Sequence, residues 1–320
     1  MENPFSPEIK DGNLFGRGSV DMKGPIAAMI CAMKAIKDMG LTLSGDIVFA
    51  GVIDEEERSY GTVHLLKNMP NVDAAIIGEP TDFDICITHR GLEWLEIRIE
   101  GKTVHGGKQS EGLNAISMAA RFLLYLEEKM AAYIAKSSHP LIGSGSYNLG
   151  TIKGGTQPST VAGDCVITLD RRWLPGESHK EIMNQFEEII ESFKPQAPGY
   201  KFYMKILDSS IMESGYAHET METVQDELIV KAVINAVESV LESSAKPDQS
   251  VGSPKEKQPK LHAYTAWTDG GLLSTYGKIP TVVFAPGNLE SAHSAGEHIN
   301  IDSMVKAVTI YAWIIYQFCK

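Results

Sequence analysis

Between Asp46 and Asp54 the chain reads DIVFAGVID, with no charged residue inside the run, and it then continues into Glu55, Glu56 and Glu57. A continuous apolar run of this length, without polar alternation, is the pattern of a strand covered on both faces, as in a parallel sheet flanked by helices. The carboxyl ends of such strands are where α/β proteins place their ligands. Four neighbouring carboxylates at such an exit repel one another unless a cation sits among them. A solvated acidic turn is the simpler alternative, because charge runs are usually exposed.

The neighbouring segments agree with a sheet covered by helices. Apolar residues recur at helical spacing from Lys23 to Met39 (Ile26, Met29, Ile30, Met33, Ile36), and Gly40 stops the helix. A helix is predicted near Thr62–Lys67 and a short buried strand at Ala74–Ile77, so Asp46–Ile77 reads as a βαβ unit of a parallel sheet.

Near His89 the texture changes. Leu92–Glu100 alternates apolar and polar residues, as a half-exposed antiparallel strand does. A helix over Leu113–Met130, strands near Ser146–Ile152 and Val161–Leu169, a helix over Glu177–Phe193 and a strand at Lys201–Ile206 complete a β-α-β-β-α-β order, which is ferredoxin-like. After Ile211 the first texture returns. A helix over Glu227–Leu241, an exposed Pro/Lys/Ser-rich loop at Lys246–Lys260, a strand at Thr281–Ala285 and a terminal helix at Asp302–Phe318 follow. The expectation is an α/β chain with a mostly parallel sheet in residues 1–89 and 212–320, interrupted by a small α+β domain at 90–211.

Composition narrows the partners. Across 320 residues, 29 Lys+Arg face 41 Asp+Glu, a net charge of −12. Nucleic-acid backbones and anionic membranes both call for clustered basic residues, so neither is an expected partner. Cys31, Cys86, Cys165 and Cys319 are far apart and show no CxxC spacing, which disfavours a disulfide scaffold or a thiolate-held metal. With no signal-like start and no apolar run long enough to span a bilayer, a cytoplasmic protein is expected.

Four clusters place acids or histidines at predicted strand or helix junctions: Asp21 within GRGSVDMKG, the acidic run at Asp54–Glu57, Glu79 within IIGEP, and His293 within SAHSAGEH. Asp21 also suits a helix N-cap, Asp82 rivals Glu79, and a single His is commonly structural. Together, carboxylates with an imidazole and no thiolate suit zinc, manganese or cobalt, and a further carboxylate could act as a general base toward an activated water.

In this order the motifs NPFSPEIKDGNLFGRGSVDMKGP, IDEEERSYGT, IIGEPTD, GKTVHGGKQSEGLNAI, the stretch from GTIKGG to LDRRWLPGE, TDGG and APGNLESAHSAGEHI resemble the zinc aminoacylase/carboxypeptidase family, which includes acetylornithine deacetylase and succinyl-diaminopimelate desuccinylase. The resemblance implies a metallopeptidase-type catalytic domain carrying an inserted lid and dimerisation domain. It implies one or two Zn2+ per chain, with Co2+ or Mn2+ as substitutes. By the same resemblance Asp21 bridges the metals, Glu55 is the general base, Glu56 and His293 are ligands of one ion, and Glu79 is a ligand of the other. His105 matches an oxyanion-stabilising residue that reaches a neighbouring subunit, and Arg172 matches an Arg that recognises a substrate carboxylate. Thr268, Asp269 and Gly270 match a turn of the substrate pocket. The implied reaction is hydrolysis of the amide of an N-acyl amino acid, with a dipeptidase or carboxypeptidase as the alternative, in a homodimer joined through the lid.

The sequence also departs from the family. An H-x-D motif supplying the first zinc His is expected upstream of the bridging Asp, yet residues 1–20 contain no His. The Glu56 side keeps three ligands and the Glu79 side two, so an impaired, N-terminally incomplete homologue is a further reading. Missing leading strands would leave a sheet edge or apolar surface uncovered. Gln109 and Ser159 replace a Pro and an Asn common in the family.

Overall fold

The computed structural model describes residues 3–69, 71–244 and 260–320. In chain order these form strands β1 (Glu8–Lys10) and β2 (Asn13–Phe15), helices α1 (Gly24–Asp38) and α2 (Tyr60–Asn68), and strands β3 (Ala75–Ile77), β4 (Ile85–His89) and β5 (Gly91–Glu100). Helix α3 (Ala115–Ile134), strands β6 (Ser146–Gly154) and β7 (Asp164–Trp173), helix α4 (His179–Phe193) and strand β8 (Lys201–Ile206) follow. The remainder comprises β9 (Met221–Glu222), α5 (Leu228–Ser244), β10 (Leu261–Tyr264), α6 (Gly270–Thr275), β11 (Thr281–Val283), β12 (His298–Asn300) and α7 (Ile301–Phe318). Of the Lys246–Lys260 loop, only Lys260 lies within the described residues.

The chain divides into two units. The first holds Met1–Val52, His64–His89 and Met221–Lys320. Its main sheet has the order β10-β4-β11-β3, with β9 added alongside β4. The sheet is mixed: β10 with β4 and β3 with β11 run parallel, while β4 meets β11 and β9 antiparallel. Ala28 and Ala32 of α1, Val233 and Val237 of α5, and Ile310 and Ile314 of α7 pack on Ile85, Ile87, Val282 and Phe284 to make its core. Every residue of β4 is buried, as expected of a strand covered on both faces. A separate three-stranded sheet, β1-β2-β12, ties the start of the chain to the segment preceding α7.

The predicted strand at Asp46–Ile53 does not form. No ladder of the described residues pairs with it, and Val48, Phe49, Val52 and Ile53 are 53%, 40%, 39% and 73% exposed. Apolar composition makes a strand only where a neighbour takes up the backbone N–H and C=O groups. The βαβ unit inferred from this run is therefore absent. The parallel partner of β3 is β11, and β3 lies at the sheet edge.

The second unit holds Ile53–Val63 and Arg90–Thr220. Its sheet, β6-β7-β5-β8, is antiparallel throughout and has the ferredoxin-like order. Side chains of β5 alternate between interior and surface, so Leu95, Ile97 and Ile99 meet Phe122 and Leu126 of α3 and Ile182, Phe186 and Phe193 of α4. Local sequence sets the helix starts. The Asn114 side chain caps α3, and Ser178 with Glu181 forms a reciprocal capping box on α4. Among the described residues, no helix is long and apolar enough to cross a membrane.

Candidate metal centre

In the first unit, parallel pairing of Ala75–Ile77 with Thr281–Val283 makes two strands run out at the same end of the sheet. The Thr81 hydroxyl ties the two exits together, donating to the Ala285 carbonyl and accepting from the Ala285 N–H, both at 3.1 Å. Beyond β3 comes Glu79, only 8% exposed. Beyond β11 the chain turns at Gly287 and leads to His293. The segment preceding α1 packs against both exits. A Cβ at Gly78 would lie 2.4 Å from Met22 Cε, and one at Gly287 would lie 2.4 Å from Val20 Cγ2. Glycine at these two positions is what lets the residues flanking Asp21 approach the strand ends.

Asp21 is not an N-cap. Lys23 occupies that position for α1, and the Asp21 backbone is extended (φ −123°, ψ 90°). Its carboxylate meets the His293 imidazole instead, with Nε2 2.9 Å from Oδ2. His293 sits in a tight turn at φ +55°. The Ser294 hydroxyl donates to the Ser291 carbonyl and accepts from the Gly296 N–H, which holds that turn. Glu297, four residues on, is fully buried and accepts hydrogen bonds from Arg17 and from the N–H groups of Val20 and Asp21. Sequence reasoning missed Glu297. A buried charge flanked by loop residues leaves no periodic signal.

Glu55 and Glu56 belong to the second unit, in a turn closed by the N–H groups of Arg58 and Ser59 donating to the Asp54 carbonyl. Glu56 is exposed and Glu55 partly buried. Arg58 anchors the turn by donating to the Asp208 carbonyl at 3.0 Å. His218, 4% exposed, bonds the Glu57 carbonyl, and burial pushes its pKa down. Nearby, the buried Glu93 accepts from Ser210 at 2.6 Å and pairs with His179 at 2.8 Å.

Also in the second unit, exposed His105 caps a short turn, its Nδ1 accepting from the Gly107 N–H at 3.2 Å. In the neutral ring this bond puts the proton on Nε2, leaving that nitrogen as a donor. Arg172 is bonded to Asp170 (Nη2 to Oδ2, 3.1 Å), while Arg171 points inward, 1% exposed, with its pKa lowered by burial. The Asp170 bond is the structural role open to Arg172. Arg90 donates to the carbonyls of Ile142 and Ser144, and its pKa is lowered by burial and then by the Arg172 charge.

In the first unit, Thr268 and Asp269 are 1% and 3% exposed. The Thr268 hydroxyl bonds His89 and accepts from the Gly270 N–H, so these residues form the buried start of α6.

The donor set fits the expected ion. Asp21 and His293 offer oxygen and nitrogen donors already in contact, and Glu56 and Glu79 would add only oxygen, a combination suited to zinc, cobalt or manganese.

Comparison with known proteins accords with this chemistry. The profile of peptidase family M20/M25/M40 matches residues 1–317. The chain is 26% identical over 340 residues to the N-formyl-4-amino-5-aminomethyl-2-methylpyrimidine deformylase of Bacillus subtilis, covering 99% of this chain and 75% of that protein. It is 27% identical over 320 residues to the acetylornithine deacetylase of Pectobacterium carotovorum, with 99% and 75% covered. The fold resembles that of aminopeptidase PepT from Bacillus cereus, with a TM-score of 0.72 at 21% identity over 98% of this chain and 76% of the other.

Proposed function

The chain belongs to peptidase family M20/M25/M40, metal-dependent hydrolases of amide and peptide bonds, and from that premise we propose that it removes the acyl group from an N-acyl amino acid. The observation that carries this reading is the Asp21–His293 contact beside paired strand exits. Two relatives are named for removing a formyl and an acetyl group, which supports a deacylase over a peptidase.

In this proposal Asp21, Glu56 and His293 would hold one ion, and Glu79 with Asp21 would take part in holding a second. A divalent cation bound there would supply a Lewis acid, lowering the pKa of a water and polarising the amide carbonyl. The Glu55 carboxylate takes a proton from the attacking water as its oxygen bonds to the carbonyl carbon. His105 Nε2–H donates to the oxygen on which negative charge develops. The C–N bond then breaks as Glu55 returns the proton to the departing nitrogen, giving a carboxylate and an amine. Arg172 is assigned to the substrate carboxylate, for which its planar fork is suited. Thr268, Asp269 and Gly270 form a buried turn beneath the substrate pocket.

The second unit serves as lid and as the contact of a cytoplasmic homodimer, in which His105 acts on the partner's substrate.

The test is release of free amine from acetyl-, succinyl- and formyl-amino acids and from dipeptides, with Zn2+ or Co2+ supplied. Turnover of the acyl-amino acids, lost in E55Q, is expected. Preferential cleavage of dipeptides would replace the deacylase reading with the peptidase one.

A further inference from the structure

The Glu297 side chain is only 1% exposed, and its bonds all lead to the loop that carries Asp21. Oε2 accepts from Arg17 Nη1 at 2.8 Å. Oε1 accepts from the N–H groups of Val20 and Asp21, at 3.3 and 3.4 Å. The Glu297 carbonyl accepts from the Gly16 N–H at 3.2 Å.

Burying a carboxylate is costly unless charge and hydrogen bonds compensate it, and here both do. The compensating groups all lie between β2 and α1, in a stretch whose single π-helical turn, Ser19–Lys23, is broken at Asp21 and Met22. Gly18 adopts φ +79° there, and the backbone of Asp21 and Met22 is not helical. Such a stretch has many conformations open to it, and aiming one side chain requires holding its backbone. Because Glu297 follows His293 in the same loop, fixing Asp21 to Glu297 also fixes Asp21 to His293.

We propose that Glu297 is a positioning residue of the metal centre: it holds the Val20 and Asp21 amides so that the Asp21 carboxylate meets His293. This rests on the reading of Asp21 and His293 as metal ligands. Groups that orient metal ligands from behind commonly change affinity about 10–100-fold when removed.

The experiment uses the full chain as E297A and E297Q, with two readouts: exchange of the Val20 and Asp21 amide protons in metal-free protein, and Co2+ affinity with its visible spectrum. In E297A both amides exchange at least about tenfold faster and Co2+ binds about 10–100-fold more weakly, while amides in α3 keep their protection. E297Q, which retains an oxygen for the two N–H groups, recovers most of both, whereas a residue serving only as the buried charge partner of Arg17 would gain nothing from Gln. If E297A folds with both readouts unchanged, the inference is overturned and the metal centre stands. If the unsubstituted chain binds no Co2+ but E297A still frees the two amides, Glu297 positions the loop and the metal reading falls. Should E297A fail to fold, E297Q decides: Co2+ binding lost as fully as in D21N overturns the inference.

Discussion

The His293 imidazole, 62% exposed, leans onto an Asp21 carboxylate that is 13% exposed, with Nε2 2.9 Å from Oδ2. One partner is fixed inside the protein and the other faces solvent, so a cation could reach the pair from outside without dismantling the loop. The unsubstituted chain is expected to retain about one Zn2+, held as a catalytic-type site with three protein ligands. D21N and H293A are expected to retain close to none. Metal analysis of gel-filtered protein checks this; a value near two would mean that the Glu79 side is also occupied.

Glu55 is assigned to proton transfer and not to metal binding. E55Q is expected to lower kcat at least about 10²–10⁴-fold, the usual contribution of a general base, with metal content unchanged. Metal analysis beside amine release separates the two roles, and lost metal would make Glu55 a ligand.

His105 presents Nε2–H because Gly107 N–H occupies Nδ1. H105A is expected to reduce kcat about 10²–10³-fold, as for loss of one oxyanion donor, with Co2+ affinity preserved. An unchanged kcat would remove His105 from the reaction.

His218 gives stability a pH dependence of known sign. Burial lowers its pKa below the ordinary 6.5, partly offset by Glu93, while His179 adds a smaller lowering. As pH falls below about 6.5 the unfolded chain binds a proton that folded His218 refuses, so stability falls with pH until the folded value is reached. The slope from one proton is at most about 1.4 kcal/mol per pH unit. Glu219, whose pKa burial raises, acts in the opposite sense: its contribution is fullest below 4.5 and is lost as pH rises through the folded value. Urea titrations at pH 7 and 5.5 should show a smaller pH dependence for H218Q than for the unsubstituted chain.

Gly91 faces the buried Trp173 so closely that an added Cβ would lie 2.1 Å from Cε2. G91A is therefore expected to destabilise the second unit by about 1–3 kcal/mol through overpacking, read as a lower urea midpoint.

What was legible in the sequence depended on whether its cause was local. The alternation of Leu92–Glu100 and the helical stretch Glu177–Phe193 have local causes, and a strand at Gly91–Glu100 and a helix at His179–Phe193 form there. Asp46–Ile53 failed because a strand needs a neighbour, which no periodicity supplies. The acids at Asp21 and Glu79 stood out as charges beside apolar runs, but their relation to His293 depends on β3–β11 pairing across some two hundred residues. Resemblance singled out Arg172, but nothing in the sequence revealed that its neighbour Arg171 is interior and that Arg172 is bonded to Asp170.

The pairing that brings the strand exits together also sets an order of events. Most of the second unit is one continuous stretch, Arg90–Thr220, and its farthest strand pairing, Leu95 with Ile206, closes within that stretch. The first unit cannot register β3 against β11 until residue 283 exists, and the Val20–Glu297 bond spans 277 positions. Distant contacts form slowly because a long loop must close before they gain anything. On a chain emerging from the ribosome, the inserted unit can fold while the Asp21 loop still waits for its other half. The corner that joins Asp21 to His293 is then among the last parts of the molecule to be assembled.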